Sequence, residues 1–144
     1  MPTVLILYHS KTGNTEEMVK AVEEGVKSQG LKTIRKKVTR ASPKDLLGVE
    51  GIIIGSPTYY GTMAAEMKTF LDRSVQYHGK LEGKVGAAFA SGGGLGGGVE
   101  TMALDMTKAL LIHGMIVQGD PWGLIMAAYP WENQTLQQGG SVRN

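Results

Sequence analysis

TVLILYHSKTGNTEEMV, residues 3–19, passes from an apolar run through a polar loop into a helical pattern. Val4 to Tyr8 is short and apolar throughout, as a strand buried on both faces is. Met18, Val19, Val22 and Val26 then recur at the spacing of one helix face, and Gly30 sits where a helix C-cap belongs. A buried strand that hands over to a helix through a loop is half of a parallel βαβ unit.

The same alternation continues along the chain. A strand over Lys32–Val38 precedes SPKDLL, where Ser42 caps a short helix with Pro43 at its first position. GIIIGS, 51–56, is a fully apolar strand, and Ala64–Ser74 reads as a helix with Met67, Phe70 and Leu71 inward. VGAAFAS (85–91) is a strand, VETMALDMTKALLIHG (99–114) a helix and MIVQG (115–119) a last strand. Continuous apolar strands between helices argue for a parallel sheet covered on both faces. Right-handed crossovers make a five-stranded doubly wound α/β sheet the simplest solution. With 144 residues, no repeat and no internal linker, the expectation is one domain over 1–144.

Composition narrows the chemistry. No window reaches the apolar length of a membrane span, and no charged segment with a cleavage site precedes TVLILY, so a soluble, cytoplasmic protein is expected. The absence of cysteine excludes disulfides, thiolate metal sites and thiol catalysis, leaving redox chemistry to a bound cofactor. Net charge is +2, but residues 1–45 carry nine Lys/Arg against five Asp/Glu, and the remainder six against eight. Most of the excess lies in KTIRKKVTR, 32–40. No aromatic side chains are interleaved there for stacking on bases, so the run reads as a lysine-protected edge strand rather than a nucleic-acid surface.

Ligands of such sheets bind at the carboxyl ends of the strands. Three loops follow the most apolar strands: SKTGNT (10–15), SPTYYGTM (56–63) and SGGGLGGG (91–98). In the first, Ser10, Thr12, Asn14 and Thr15 supply polar side chains and Gly13 permits a tight turn before the helix. A phosphate there gathers backbone N–H groups and the helix dipole, the latter worth about 0.3–1 kcal/mol. The alternative is ordinary capping, for which one of those side chains is enough. No Gly-Lys-Ser/Thr follows, so the loop is not a triphosphate P-loop. In the third, Gly92, Gly94 and Gly97 fall into the G-x-G-x-x-G spacing of a dinucleotide loop, but a run with six glycines in seven positions matches any glycine pattern. A dinucleotide fold places that loop after its first strand, with an acid about 20 residues on, for which only Asp120 is available.

YHSKTGNTE, 8–16, resembles the FMN-phosphate signature of flavodoxin-like proteins. GSPTYYG, 55–61, resembles the second flavin loop of the quinone-reductase branch, and LGGGVET followed by HGM is similar to WrbA-type NAD(P)H:quinone oxidoreductases. The resemblance covers about residues 3–120. It implies a flavodoxin-like fold with strand order 2-1-3-4-5 and bound FMN. It places the phosphate on Ser10, Lys11, Thr12, Gly13, Asn14 and Thr15, and the ring among Pro57, Thr58, Tyr59, Tyr60 and Gly61 of the second loop. Ser91, Gly92, Gly93, Gly94 and Gly97 then lie against the flavin. His113 matches the family's histidine before Gly-Met and is implied as a catalytic group bonding the acceptor oxygen; the alternative is a polar residue ending a helix.

The activity implied is transfer of two electrons from NADPH or NADH through FMN to a quinone or redox-protein acceptor, in ping-pong order. The alternative is a one-electron carrier. The loops 56–63 and 91–98 contain no Asp or Glu, unlike the acid-rich flavin surroundings of carriers. A unit charge at about 8 Å with an effective dielectric near 20 is worth roughly 2 kcal/mol, or roughly 90 mV in a one-electron potential. Missing acids thus ease full reduction. The chain departs from the family after Asp120, where residues 121–144 are rich in Pro, Gly, Trp and Gln and show no amphipathic run. The family's fifth helix is missing from this reading: either the chain is truncated before it, or another subunit covers that face as in a homo-oligomer, with Trp122, Tyr129 and Trp131 as its contacts or folded back over the flavin rim.

Overall fold

The computed structural model describes residues 1–94, 96–119 and, for the backbone alone, 126–128. Its strands are β1 (Thr3–Tyr8), β2 (Lys32–Lys37), β3 (Gly51–Tyr59), β4 (Thr62–Met63), β5 (Val85–Ser91), β6 (Ile116–Val117) and β7 (Met126–Ala128). Its α-helices are α1 (Asn14–Ser28), α2 (Ala65–Arg73) and α3 (Val99–Ile112), with 3-10 turns at Val38–Arg40, Pro43–Leu46 and Ser74–Tyr77. The sheet runs β2-β1-β3-β5-β6, and every neighbour on this path is parallel. The sequence of strand positions is the flavodoxin-like one. At Pro43–Leu46 the capping box is complete, with Ser42 and Asp45 bonding each other's backbone N–H groups.

Two strands lie outside the sequence reading. β4 turns back antiparallel on β3, so residues 56–63 are a hairpin rather than an open loop. The fifth position is shared, β6 pairing with the start of β5 and β7 with its end. MIVQG therefore gives only Ile116–Val117 to the ladder, and part of the segment read as irregular returns to the sheet at Met126–Ala128. The reading of a missing fifth helix, and of Trp122, Tyr129 and Trp131 as contacts, falls otherwise outside the described residues.

Alternation along the strands divides the core in two. Val4, Ile6, Tyr8 and Phe89 join Val19 of α1 on one face, with Met18, Val22, Val26 and Ile53 packed against them. Leu5, Leu7, Ile52, Ile54 and Ala90 point to the other face, where Met67 and Phe70 of α2 and Met102, Met106 and Leu110 of α3 cover them. Lys84 ties the strand ends opposite the loops together, its ammonium donating to the carbonyls of Leu47, at 3.0 Å, and Val49. β2 is the edge strand, and its central cations are paired: Arg35 with Glu23 at 3.5 Å, Lys36 with Asp45 at 2.8 Å and Lys37 with Glu16 at 3.3 Å.

The centre of the sheet depends on one close approach. Gly55 lies opposite Phe89 in the β3–β5 register, and the fully buried Phe89 ring covers it. A Cβ on Gly55 would lie 2.0 Å from Phe89 Cζ. Gly55→Ala must push that ring out of its pocket, so we expect a loss of about 1–3 kcal/mol or more, measured by urea unfolding. An alanine variant as stable as the parent would show that the Phe89 contact does not constrain the sheet.

Candidate functional site

The carboxyl ends of β1, β3 and β5 are neighbours, so the three loops that leave them meet at one edge. The His9 N–H donates to the Gly55 carbonyl at 3.1 Å, which joins the first loop to β3. Thr15 Oγ1 and Ser91 Oγ share a buried hydrogen bond of 2.8 Å, which joins the start of α1 to the end of β5.

In the first loop Gly13 takes the left-handed conformation, φ 99°, and its N–H donates to Ser10 Oγ at 3.2 Å. Its carbonyl accepts from Glu17 N–H at 3.0 Å, opening α1. No side chain caps this helix. The N–H groups of Asn14, Thr15 and Glu16 therefore have no acceptor within the helix, by helix geometry. Of the two sequence alternatives, capping by Ser10, Thr12, Asn14 or Thr15 is not what these side chains do: Ser10 closes the turn, Thr15 bonds Ser91, and Thr12 and Asn14 are exposed, as is Lys11.

Glu16, in the first turn, faces away from this opening. It accepts from the Tyr8 hydroxyl at 3.0 Å and pairs with Lys37 at 3.3 Å. The Tyr8 bond holds the Glu16 carboxyl below the ordinary glutamate range, with Lys37 assisting. Burial, and then the same bond to Glu16, raise the Tyr8 phenol.

The second loop is a two-residue hairpin turn. Tyr60 (φ 50°) and Gly61 (φ 84°) are both left-handed, as the tightest hairpin turns require. Tyr60 is the one non-glycine residue with positive φ among those described, and its side chain is fully exposed. Tyr59 meets the His9 ring edge-on, with centroids 6.4 Å apart, and His9 Nε2 lies 3.6 Å from the Glu66 carboxylate. Ser56 fixes the hairpin base, donating to the Pro57 carbonyl and accepting from Ala64 N–H, both at 2.9 Å. Thr58 Oγ1 is buried without a hydrogen-bond partner and lies 3.5 Å from where a Cβ on Gly92 would stand. The second and third loops meet there.

The third loop also meets the second at Gly98, the residue before α3. Gly98 has φ 93°, and a Cβ on it would lie 3.0 Å from Gly61 Cα and 3.2 Å from Gly61 O. A Cβ on Gly92 would fall 2.2 Å from Val99 Cγ2, whereas Gly93 and Gly94 face open space. The Gly97 N–H donates to the Gly94 carbonyl at 3.2 Å. A Cβ on Gly97 would lie 3.0 Å from the Gly94 carbonyl oxygen, so close packing marks Gly92, Gly97 and Gly98 but not Gly94, the middle position of the 92-94-97 spacing.

The edge thus brings together Ser10–Thr15, Pro57–Gly61, Ser91–Gly94 and Gly96–Gly98, but not His113. That residue follows α3, whose N-terminus adjoins the third loop and whose 14 residues span about 21 Å. His113 instead lies beside the start of β5, where Gly83 N–H donates to the Gly114 carbonyl at 3.0 Å. It is buried, with Nε2 2.7 Å from Ser74 Oγ, and burial, then His78, push its pKa down. Two acids missed by the loop reading reach the second loop from neighbouring helices: Glu66 through His9, and Asp105 through a long 3.5 Å contact with Thr62 Oγ1.

The family model described as NADPH-dependent FMN reductase matches residues 33–129, which include the second and third loops. The chain belongs to this FMN reductase family. Within flavodoxin-like proteins more broadly, a flavodoxin of Clostridium saccharobutylicum is 42% identical over 117 residues, covering 79% of this chain and 71% of the relative. An NAD(P)H dehydrogenase (quinone) of Rhizobium rhizogenes is 36% identical over 173 aligned positions, 99% of this chain and 87% of the relative. The crystal structure of a WrbA-like flavodoxin protein from Agrobacterium tumefaciens has the same fold, with a TM-score of 0.76 at 24% identity over 90% of this chain and 84% of that one. Among the described residues of this family member, no helix is long and apolar enough to cross a membrane.

Ser91→Ala strands the buried Thr15 hydroxyl and should cost about 1–3 kcal/mol in urea unfolding, while adding Thr15→Val should recover part of that loss. An additive double variant would remove the coupling claimed for this pair. Because the Glu16 carboxyl titrates lower in the fold than at its unfolded value of 4.5, its contribution is complete above pH 4.5 and is lost as pH falls through the folded value. Glu16→Gln should therefore flatten the acid limb of stability against pH.

Proposed function

We propose that this chain binds FMN at the three-loop edge and transfers two electrons from NADPH or NADH to a quinone-like acceptor. The observation that carries the proposal is the uncapped start of α1, with hydroxyl and amide side chains gathered beside it. The N–H groups of Asn14, Thr15 and Glu16 suit a phosphate, and Ser10, Lys11, Thr12 and Asn14 add side-chain donors, with Gly13 shaping the turn. Thr15 acts through Ser91, holding the helix start in place.

The residues present also fit the rest of the group. Thr58 keeps a buried hydroxyl unpartnered at the seam of the second and third loops, where a polar edge of a ring would satisfy it. Pro57, Tyr59, Tyr60 and Gly61 would form one wall and Ser91, Gly92, Gly93, Gly94 and Gly97 the other, where the glycines add no bulk. When bound, FMN supplies hydride acceptance from a nicotinamide and delivery of two electrons to a quinone. The protein positions it and surrounds it with fixed donors. The names of the quinone-dehydrogenase relatives support this reading.

His113 has no part in this edge, so the acceptor-bonding role implied for it is not carried forward. The homo-oligomer remains part of the proposal, with Val85, Leu111, Ile112 and Ile116 as exposed apolar contacts.

The test mixes the FMN-loaded protein anaerobically with NADPH, then NADH, follows the flavin absorbance, and adds benzoquinone. Rapid bleaching and quinone-driven recovery support the reductase. Flavin that ignores both nicotinamides but accepts electrons from dithionite overturns it in favour of a one-electron carrier, the reading favoured by the 42% identical relative named flavodoxin. Thr12→Ala should weaken FMN binding about tenfold or more, as for one hydrogen bond to a charged group, and leave riboflavin binding unchanged. Equal losses for both ligands would remove the phosphate from this loop.

A further inference from the structure

At the opposite edge of the sheet, two of the chain's three histidines stand together. His113 is buried at the end of α3, and His78 is exposed just after the 3-10 turn Ser74–Tyr77; their ring centroids are 6.0 Å apart. Ser74 decides the tautomer of the buried ring. Its Oγ lies 2.6 Å from the Leu71 carbonyl and 2.7 Å from His113 Nε2. A carbonyl accepts only, and a hydroxyl has one proton, so both bonds hold together when Ser74 donates to Leu71 and His113 donates from Nε2. Nδ1 is then a bare lone pair, and it is buried without a partner.

A buried, unpaired nitrogen calls for an explanation, since such groups are rarely left unmet. A histidine whose second nitrogen is anchored by a hydrogen bond is also the usual form of a metal ligand. A cation about 2.1 Å from one nitrogen of each ring lies about 3.2 Å from each centroid, so rings sharing it stand about 5–6.5 Å apart. The observed 6.0 Å falls in that range.

We propose that His78 and His113 form a binding site for a borderline divalent transition-metal ion, Zn²⁺ or a neighbour, held by two imidazoles and completed by water. Among the described residues no cluster of three or more His, Cys, Asp or Glu is assembled, so the protein supplies two ligands. Nitrogen donors without thiolates select Zn²⁺, Ni²⁺ or Cu²⁺ over Mg²⁺ or Ca²⁺. The ion would staple the loop at His78 and Gly79 to the end of α3. It lies at the edge opposite the three loops, so it stabilises the fold without taking part in the flavin site, and the inference does not rest on the proposed activity.

The experiment uses untagged, chelator-treated full chain at pH 7.5 and ZnCl₂ alone, followed by calorimetry and thermal unfolding. One Zn²⁺ per chain is expected, with a Tm rise of about 5–10 °C at about 100 times Kd. His78→Gln, at an exposed position, should keep the metal-free Tm and lose the rise. His9→Gln should keep the rise, and MgCl₂ should give none in any form. No saturable binding, or a rise that survives His78→Gln, overturns the site. FMN affinity measured with and without Zn²⁺ should be equal; a change in it would contradict the separation of the two edges.

Discussion

The hydrogen bond between Thr15 and Ser91 holds the carboxyl edge together. The apolar contacts of α1 begin at Met18 and Val19, one turn inside the helix, so packing alone leaves the first turn free to fray. Thr15 prevents this by joining that turn to the end of β5 through a buried bond of 2.8 Å. The net worth of such a bond is about 1 kcal/mol, but an orphaned buried hydroxyl costs about 1–3. The pair therefore fixes position more than it adds stability. It sets the free N–H groups of α1 at a constant distance from the glycine loop.

Much of the architecture was legible because burial on both faces leaves a simple mark. Ile52, Ile53 and Ile54 fill both layers of the core from one strand, and no helix period explains them. What the sequence hid were the short ladders. The β3–β4 turn is Tyr60–Gly61, without the Asn-Gly or Asp-Gly that announces a left-handed pair, and β4 contributes two residues. β7 is Met-Ala-Ala, which lacks the branched residues by which strands are recognised. β7 owes its place to β5, distant in sequence, whereas β4 pairs with the adjacent β3 and the turn before it packs on the distant Gly98.

The site was legible in its loops and less so in its single residues. Thr15 reads as a donor to a ligand, yet its hydroxyl is engaged by a serine 76 positions away, which no local pattern encodes. His113 was placed by a motif, whereas spacing argued otherwise: a residue separated from the glycine loop by a 14-residue helix must lie at the far edge. Glu66 and Asp105 show the converse. Neither belongs to a loop, but each lies in the first turns of a helix that starts at the edge, and that position was readable from the helix starts alone.

Charge at the edge is arranged so that the helix dipole of α1 remains available. Glu16 and Glu17 occupy its first turn, where carboxylates normally offset the positive end. Each has a cation at hand, Glu16 with Lys37 at 3.3 Å and Glu17 with Lys20 at 2.6 Å. Glu66 faces His9, and Asp105 pairs with Lys108 at 2.7 Å. The carboxylates of Glu16, Glu17 and Asp105 are thus answered by lysines, and Glu16 is turned toward Tyr8 and β2. The backbone N–H groups of Asn14, Thr15 and Glu16 have no such answer within α1. An anion that reaches the first loop meets partial positive charge whose protein counter-charge is already spent on lysine, and this imbalance selects a phosphate over a neutral ligand.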